Sequence, residues 1–225
     1  MPSFTVRLGG VLAALALGVP FVVKAQTQTI NVPGVDTPMS WIHMPLDYRL
    51  TKTGITITAP GKTDKYAAPD GGDPTDKASR LVFDSNGDFT FSAAVSHKFA
   101  SVWDSGGVIV EADLTHWFKF EFERDYTGAH RVVSVVTKEL SDDVNSIEIN
   151  SDTAFLEVAK AGDAFYLYSS NDGKSWYLVR AFNFKSEHPL KVGLIAQCPV
   201  GNGATITFSD VKFSPTRIKD IWKGQ

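Results

Sequence analysis

Three carboxylates at alternate positions, Glu121, Glu123 and Asp125, are the residues of this chain whose type and spacing could do acid–base chemistry. Residues two apart on a strand share a face with a repeat of about 7 Å. Leaning side chains can close that to the ~5–5.5 Å that a retaining glycosidase needs between nucleophile and acid. The same row carries Trp117 and Lys119. A sugar ring can stack on the indole, while the lysine and the carboxylates bond to its hydroxyls, so the row also reads as a binding stripe that needs no catalysis. Trp103 with Asp104, and Tyr66 with Asp64, could extend such a surface from neighbouring loops. A third reading is structural: alternating charge is what the solvated face of a sheet looks like, and a Lys119–Glu121 pair there contributes under ~1 kcal/mol.

The element that must position these groups is plain from its other face. In His116-Trp117-Phe118-Lys119-Phe120-Glu121-Phe122-Glu123-Arg124-Asp125 the three phenylalanines alternate strictly with the polar residues, which predicts a half-buried β-strand. Similar runs recur at 54–59, 79–83, 88–98, 107–113, 131–137, 144–149, 154–158, 164–169, 175–182, 191–196 and 204–213. Asn86-Gly87, Asp172-Gly173 and Gly201-Asn202-Gly203 mark reversals between them. No segment has helical periodicity beyond a turn at 217–222. The chain is therefore expected to be all-β, with two antiparallel sheets packed as a jelly roll. Its core should hold Phe89, Phe91, Val95, Val108, Val110, Phe118, Phe120, Phe122, Phe165, Leu167, Val192, Leu194, Ile206 and Phe208.

Composition narrows the function classes. Residues 1–25 have a basic start ending at Arg7, an apolar run at 8–23 broken by Pro20, and Val23-Lys24-Ala25. This reads as a signal peptide cleaved after Ala25, since the run is short of the ~20 residues that span a bilayer. The protein is thus expected to be secreted or periplasmic, with no membrane span after signal removal. Residues 26–40 read as a flexible lead-in, 41–215 as one domain and 216–225 as a C-terminal tail. The net charge is −3 with no basic block, which argues against nucleic acid as a partner. Cys198 is the only cysteine, so no internal disulfide can form, and its place at the end of an apolar run makes it a buried hydrophobe. His43, His97, His116, His130 and His188 lack metal spacing, and there is no Gly-x-Ser-x-Gly elbow. No metal site is assigned; a structural Ca²⁺ would suit the Asp-bearing loops, but no ligand loop of defined spacing is present.

Several segments in order resemble the regulation-of-enolase family of the concanavalin A-like lectin and glucanase superfamily. They are Trp103-Asp104-Ser105-Gly106-Gly107-Val108-Ile109-Val110, the 117–123 strand, Ser134-Val135-Val136-Thr137, Ser141-Asp142, Asn171-Asp172-Gly173-Lys174-Ser175-Trp176, and Val192-Gly193-Leu194-Ile195-Ala196-Gln197-Cys198-Pro199. The resemblance spans Trp41 to about Pro215 and implies the same two-sheet jelly roll. The family's name refers to a cytoplasmic glycolytic enzyme in fungi; bacterial members resemble accessory proteins of polysaccharide utilisation, which agrees with export. The chain departs from the family pattern in four places: Asp64-Lys65-Tyr66 where members show Asp-Phe-Trp, Ser141-Asp142-Asp143-Val144 where they show Ser-Asp-Trp-Ser, Ser105 for a glutamine and Glu121 for a glycine.

The reading is a secreted carbohydrate-binding or polysaccharide-utilisation protein, with Tyr66, Trp103, Asp104, Trp117, Lys119 and Glu123 as contact residues. The alternatives are a glycoside hydrolase drawing on Glu121, Glu123 and Asp125, and a non-catalytic structural or partner-binding domain.

Overall fold

The computed structural model describes residues 29–98 and 100–225. The expected signal peptide lies outside the described residues. In chain order the strands are β1 (Thr29–Ile30), β2 (Met39–Ile42), β3 (Asp47–Leu50), β4 (Ile55–Pro60), β5 (Lys65–Tyr66), β6 (Thr75–Asp76), β7 (Ser79–Ser85), β8 (Phe89–His97) and β9 (Ser105–Glu111). They continue as β10 (His116–Arg124), β11 (His130–Lys138), β12 (Leu140–Glu148), β13 (Thr153–Ala161), β14 (Ala164–Ser170), β15 (Tyr177–Asn183), β16 (Leu190–Gln197) and β17 (Gly203–Ser214). Each strand expected from alternation has its counterpart, and β10 ends at Arg124, one residue short of the alternating run. Among the described residues no helix is long and apolar enough to cross a membrane.

An eight-stranded antiparallel sheet, in the order β1-β2-β7-β16-β9-β10-β11-β12, packs on a seven-stranded one ordered β15-β14-β13-β8-β17-β4-β3. The chain is an all-β two-sheet sandwich. It passes from one sheet to the other after β7 and again after β16, where Gly87 (φ 82°) and Gly203 (φ 148°) take backbone angles that a Cβ would oppose. The inner face of β10 drives the packing. Phe118, Phe120 and Phe122 have no exposed surface, and the Phe118 ring meets Phe165 at 4.9 Å, Phe182 at 5.0 Å and Phe184 at 5.4 Å, all edge-on. Each such ring contributes about 1.5–3 kcal/mol by burial. Every core residue expected from the strand pattern lies in this one cluster.

One expectation is corrected. The lead-in is not flexible over 29–40: Ile30, Val32, Val35 and Met39 are buried in the main core, and β1 and β2 extend the eight-stranded sheet beside β7. Four apolar residues spaced among polar ones were too sparse to read as a strand. The C-terminal tail is docked on the sandwich. Ile218 is buried beside Tyr168, whose hydroxyl donates to the Ile221 carbonyl at 2.7 Å.

Candidate functional site

The polar face of β10 points away from the sandwich core, yet it is not open to solvent. A segment between β4 and β7 is strapped over it. Thr63 exchanges backbone hydrogen bonds with Cys198, just past β16, at 3.1 and 3.2 Å. Four residues later Ala67 is tied to β12: the Ser141 amide donates to its carbonyl at 2.8 Å, and its own amide donates to Ser141 Oγ at 3.2 Å. Strands β9, β10 and β11 lie between those anchors. Alternation within the strap sends Lys65 to one side and Asp64 and Tyr66 to the other.

Trp117 lies beneath the strap. It is 2% exposed, packed with Ala78, Val82, Ile109, Val133, Val135 and Ile195, and the Lys65 ammonium sits 4.7 Å from its ring centroid. The expectation that Trp117 stacks on a ligand is therefore wrong; the residue is a structural anchor. Lys65 and Arg80, both buried, reach Glu111 at 3.1 and 3.2 Å and also pair with Asp76, so this end of the face is closed by a cluster of paired charges.

Further along the face a cavity of about 360 Å³ opens, at the small end of the range for ligand pockets. Strap residues Asp64 and Tyr66 form one wall; Lys119 and Glu123 come from β10, Val133 and Val135 from β11, Asp143 and Asn145 from β12, and Gln197 from the end of β16. Trp103, Tyr126 and Pro199 complete it from loops. Strand register explains the gathering. Lys119 stands opposite Val135, and Val135 opposite Asp143; Glu123 stands opposite Ser105, and Ser105 opposite Gln197. Residues far apart in the chain thus fall into two rows across one face.

Trp103 supplies the apolar surface of the rim. It remains 44% exposed and holds φ at 64°, a left-handed conformation that non-glycine residues seldom adopt and that surrounding contacts must impose. Those contacts are visible. The Trp103 amide donates to the Arg124 carbonyl at 2.7 Å, and the Asp104 carboxylate accepts from the Ser101 amide at 2.8 Å, closing the turn. Asp104 is fully buried and does not line the cavity. Its expected role as a ligand contact is corrected to one of shaping the loop that presents Trp103.

The charges divide into a paired and an unpaired set. Lys119 donates to Gln197 Oε1 at 2.9 Å and to Asp64 Oδ1 at 3.4 Å, and its ammonium lies 3.1 Å from Glu121 Oε2. Burial would lower the Lys119 pKa, but Glu121, Asp64 and Glu123 outweigh it and raise the value. Glu121, with no exposed surface, accepts from Ser105 Oγ at 2.9 Å, so two of the departures from the family pattern bond to each other. Glu123 differs. It is 7% exposed, lines the cavity, and has no hydrogen bond or ion pair among the described residues. Burial first, and the neighbouring Glu121 second, push its carboxyl well above the usual range.

The carboxylate triad expected along β10 does not assemble. Asp125 lies past the end of the strand, where its carboxylate accepts from the amides of Thr127 and Ala129 at 2.8 and 3.0 Å, from Thr127 Oγ1 at 2.6 Å and from Arg131 Nε at 2.7 Å. Burial opposes its ionisation, but these donors win and hold the pKa down at about 2. Glu121 is sealed by Lys119 and Ser105. Only Glu123 of the three faces the cavity. Of the expected contact residues, Tyr66, Trp103, Lys119 and Glu123 are brought together; Asp143, Asn145, Gln197 and Tyr126 join them without having been assigned from sequence. The sole signal for them was pairing register, which pattern alone does not supply. Among the described residues no group of three His, Cys, Asp or Glu side chains is arranged to hold a metal ion.

With this geometry in view, comparison with known proteins places the chain. "Regulation of enolase protein 1" of Saccharomyces cerevisiae (strain ATCC 204508 / S288c) is 27% identical over 172 residues, covering 76% of this chain and 86% of the yeast protein. A functionally unknown Saccharomyces cerevisiae protein of known crystal structure superposes with a TM-score of 0.74 at 26% identity, over 78% of this chain and 95% of that one. The carbohydrate binding module CBM66 from Bacillus subtilis shares the fold, with a TM-score of 0.50 at 16% identity over 82% of this chain and 97% of the module. The family model described as "Protein of unknown function (DUF1349)" matches residues 41–216, so the chain belongs to the DUF1349 family.

Proposed function

We propose that the protein is an exported carbohydrate-binding protein and that the strapped cavity, rather than the open length of β10, is its ligand site. The observation that carries this is Glu123, a largely buried carboxyl with no hydrogen bond or ion pair among the described residues, in a cavity whose rim presents Trp103. Its oxygens open on the cavity, where a ligand hydroxyl or amine can bond to them in place of water. Trp103 provides a flat, half-wet ring for stacking. Gln197, Asn145 and Asp64 add directed donors and acceptors, the combination by which small polar ligands are oriented. The fold shared with a carbohydrate binding module is compatible with this reading.

Recognition is favoured over hydrolysis by a specific geometric point. A two-carboxylate mechanism on β10 needs a second free acid beside Glu123, and Glu121 and Asp125 are both committed to protein partners. The test is glycan-array screening followed by titration of the best ligand. Trp103→Ala is expected to weaken binding ~5- to 30-fold, as loss of ~1–2 kcal/mol of contact would, with little change in the unfolding midpoint because the ring is exposed. Unchanged affinity in this variant would remove the cavity from consideration.

A further inference from the structure

We propose that the sugar taken by this cavity carries a protonated amine: the ligand is a glycan with free, non-acetylated amino groups, its ammonium seated among Asp64, Glu123 and Asp143. This rests on the carbohydrate reading above and specifies its chemistry. The charge inventory leads to it. Among the described residues three carboxylates line the cavity against one cation, Lys119, and that lysine is shared between Glu121 at 3.1 Å, Gln197 at 2.9 Å and Asp64 at 3.4 Å, which leaves Glu123 and Asp143 without it. Arg131, the register neighbour of Glu123 on β11, turns away to Asp125 at 2.7 Å and Glu148 at 3.5 Å. Among the described residues that line the cavity no second cation is left to receive a uronate, sulfate or phosphate.

A neutral sugar fares better than an anion, but it supplies no charge to the three carboxylates that line the cavity. An ammonium supplies that charge. It forms charge-assisted hydrogen bonds to the carboxylates, and Trp103 and Tyr66, which line the same cavity, are side chains whose rings attract a cation. The second, independent observation is Glu123 itself: 7% exposed, aimed into the cavity and unpartnered among the described residues.

Proton linkage provides a readout that a neutral ligand would not give. The charged and titratable groups around Glu123 are Lys119 and Glu121 from its own strand, Asp64 and Tyr66 from the strap, Asp143 from β12 and Tyr126 from the following loop. Burial raises the Glu123 carboxyl, and a bound ammonium favours its ionised form, so binding pushes it towards losing its proton. Binding should then release protons, and affinity should climb with pH until the ligand amine itself deprotonates.

The test compares three β-1,4-linked tetrasaccharides that differ only at carbon 2: glucosamine, N-acetylglucosamine and glucose. Calorimetric titration of the full-length protein at low and moderate salt is expected to show the glucosamine tetramer binding ~10-fold or more tightly than either counterpart, a difference of about 1.4 kcal/mol. The preference should shrink with added salt. Buffers of different ionisation enthalpy should reveal proton release. Glu123→Gln should abolish the preference, and Asp143→Asn, on the exposed rim where folding is not at risk, should reduce it several-fold. Equal or tighter binding of the glucose tetramer overturns the amine assignment while leaving a carbohydrate site intact. So does failure of all three when an array glycan without amines binds. Absence of binding to any glycan overturns both readings.

Discussion

Replacing Lys119 with methionine is expected to cost about 3–5 kcal/mol of unfolding free energy, and adding Glu121→Gln to return most of it. The two side chains are 3% and 0% exposed, and the ammonium lies 3.1 Å from the carboxylate. Such a pair is close to neutral for stability as a unit, because desolvation offsets attraction. Removing one partner is different, since the other charge stays buried without compensation. In the double variant an amide takes that place, still able to accept from Ser105 Oγ, which now bonds Glu121 at 2.9 Å. Guanidinium denaturation of the wild type and the three variants reads the effect directly. A loss under ~1 kcal/mol in Lys119→Met would mean that water reaches the pair, as on an ordinary solvated strand face.

Trp117→Ala is expected to destabilise the fold by about 3–5 kcal/mol, the usual range for deleting a buried aromatic. The indole fills the space between the sheet and the strap, and its loss also removes the ring beneath the Lys65 ammonium at 4.7 Å. Trp103→Ala should leave stability near that of the wild type, since nearly half of that side chain is already in water. The two tryptophans therefore separate: one substitution lowers the denaturation midpoint, the other lowers ligand affinity. A Trp117→Ala protein that unfolds like the wild type would show that the strap does not pack on the sheet.

The comparison between these tryptophans shows what pattern could and could not reveal. Alternation along 116–124 placed Phe118, Phe120 and Phe122 in the core and Trp117, Lys119, Glu121 and Glu123 on the opposite face, as observed. It carried no information on what covers that face. The cover is the Thr63–Ala67 strap; its Asp64 lies 55 positions before Lys119, which it meets at 3.4 Å. A row that looks solvated by periodicity is consequently buried. Asp125 failed for another reason: it keeps the parity of the row, but the strand stops at Arg124 and the turn claims the carboxylate. Asp143 and Gln197 were out of reach because the order of β16, β9, β10, β11 and β12 in the sheet, and their register, arise from packing over long chain separations. Trp103 and Asp104, adjacent in the chain, differ in role only because the positive φ of Trp103 turns its ring outward while the Asp104 side chain ties the turn.

The claim that the strapped cavity is the binding site is tested most directly by a crystal structure of the protein with its best array glycan. The account predicts a sugar ring against Trp103, with a hydroxyl or amine nitrogen within about 2.6–3.2 Å of the Glu123 carboxyl and no direct contact to Trp117. A glycan seated elsewhere on the sandwich, with Glu123 untouched, would contradict it.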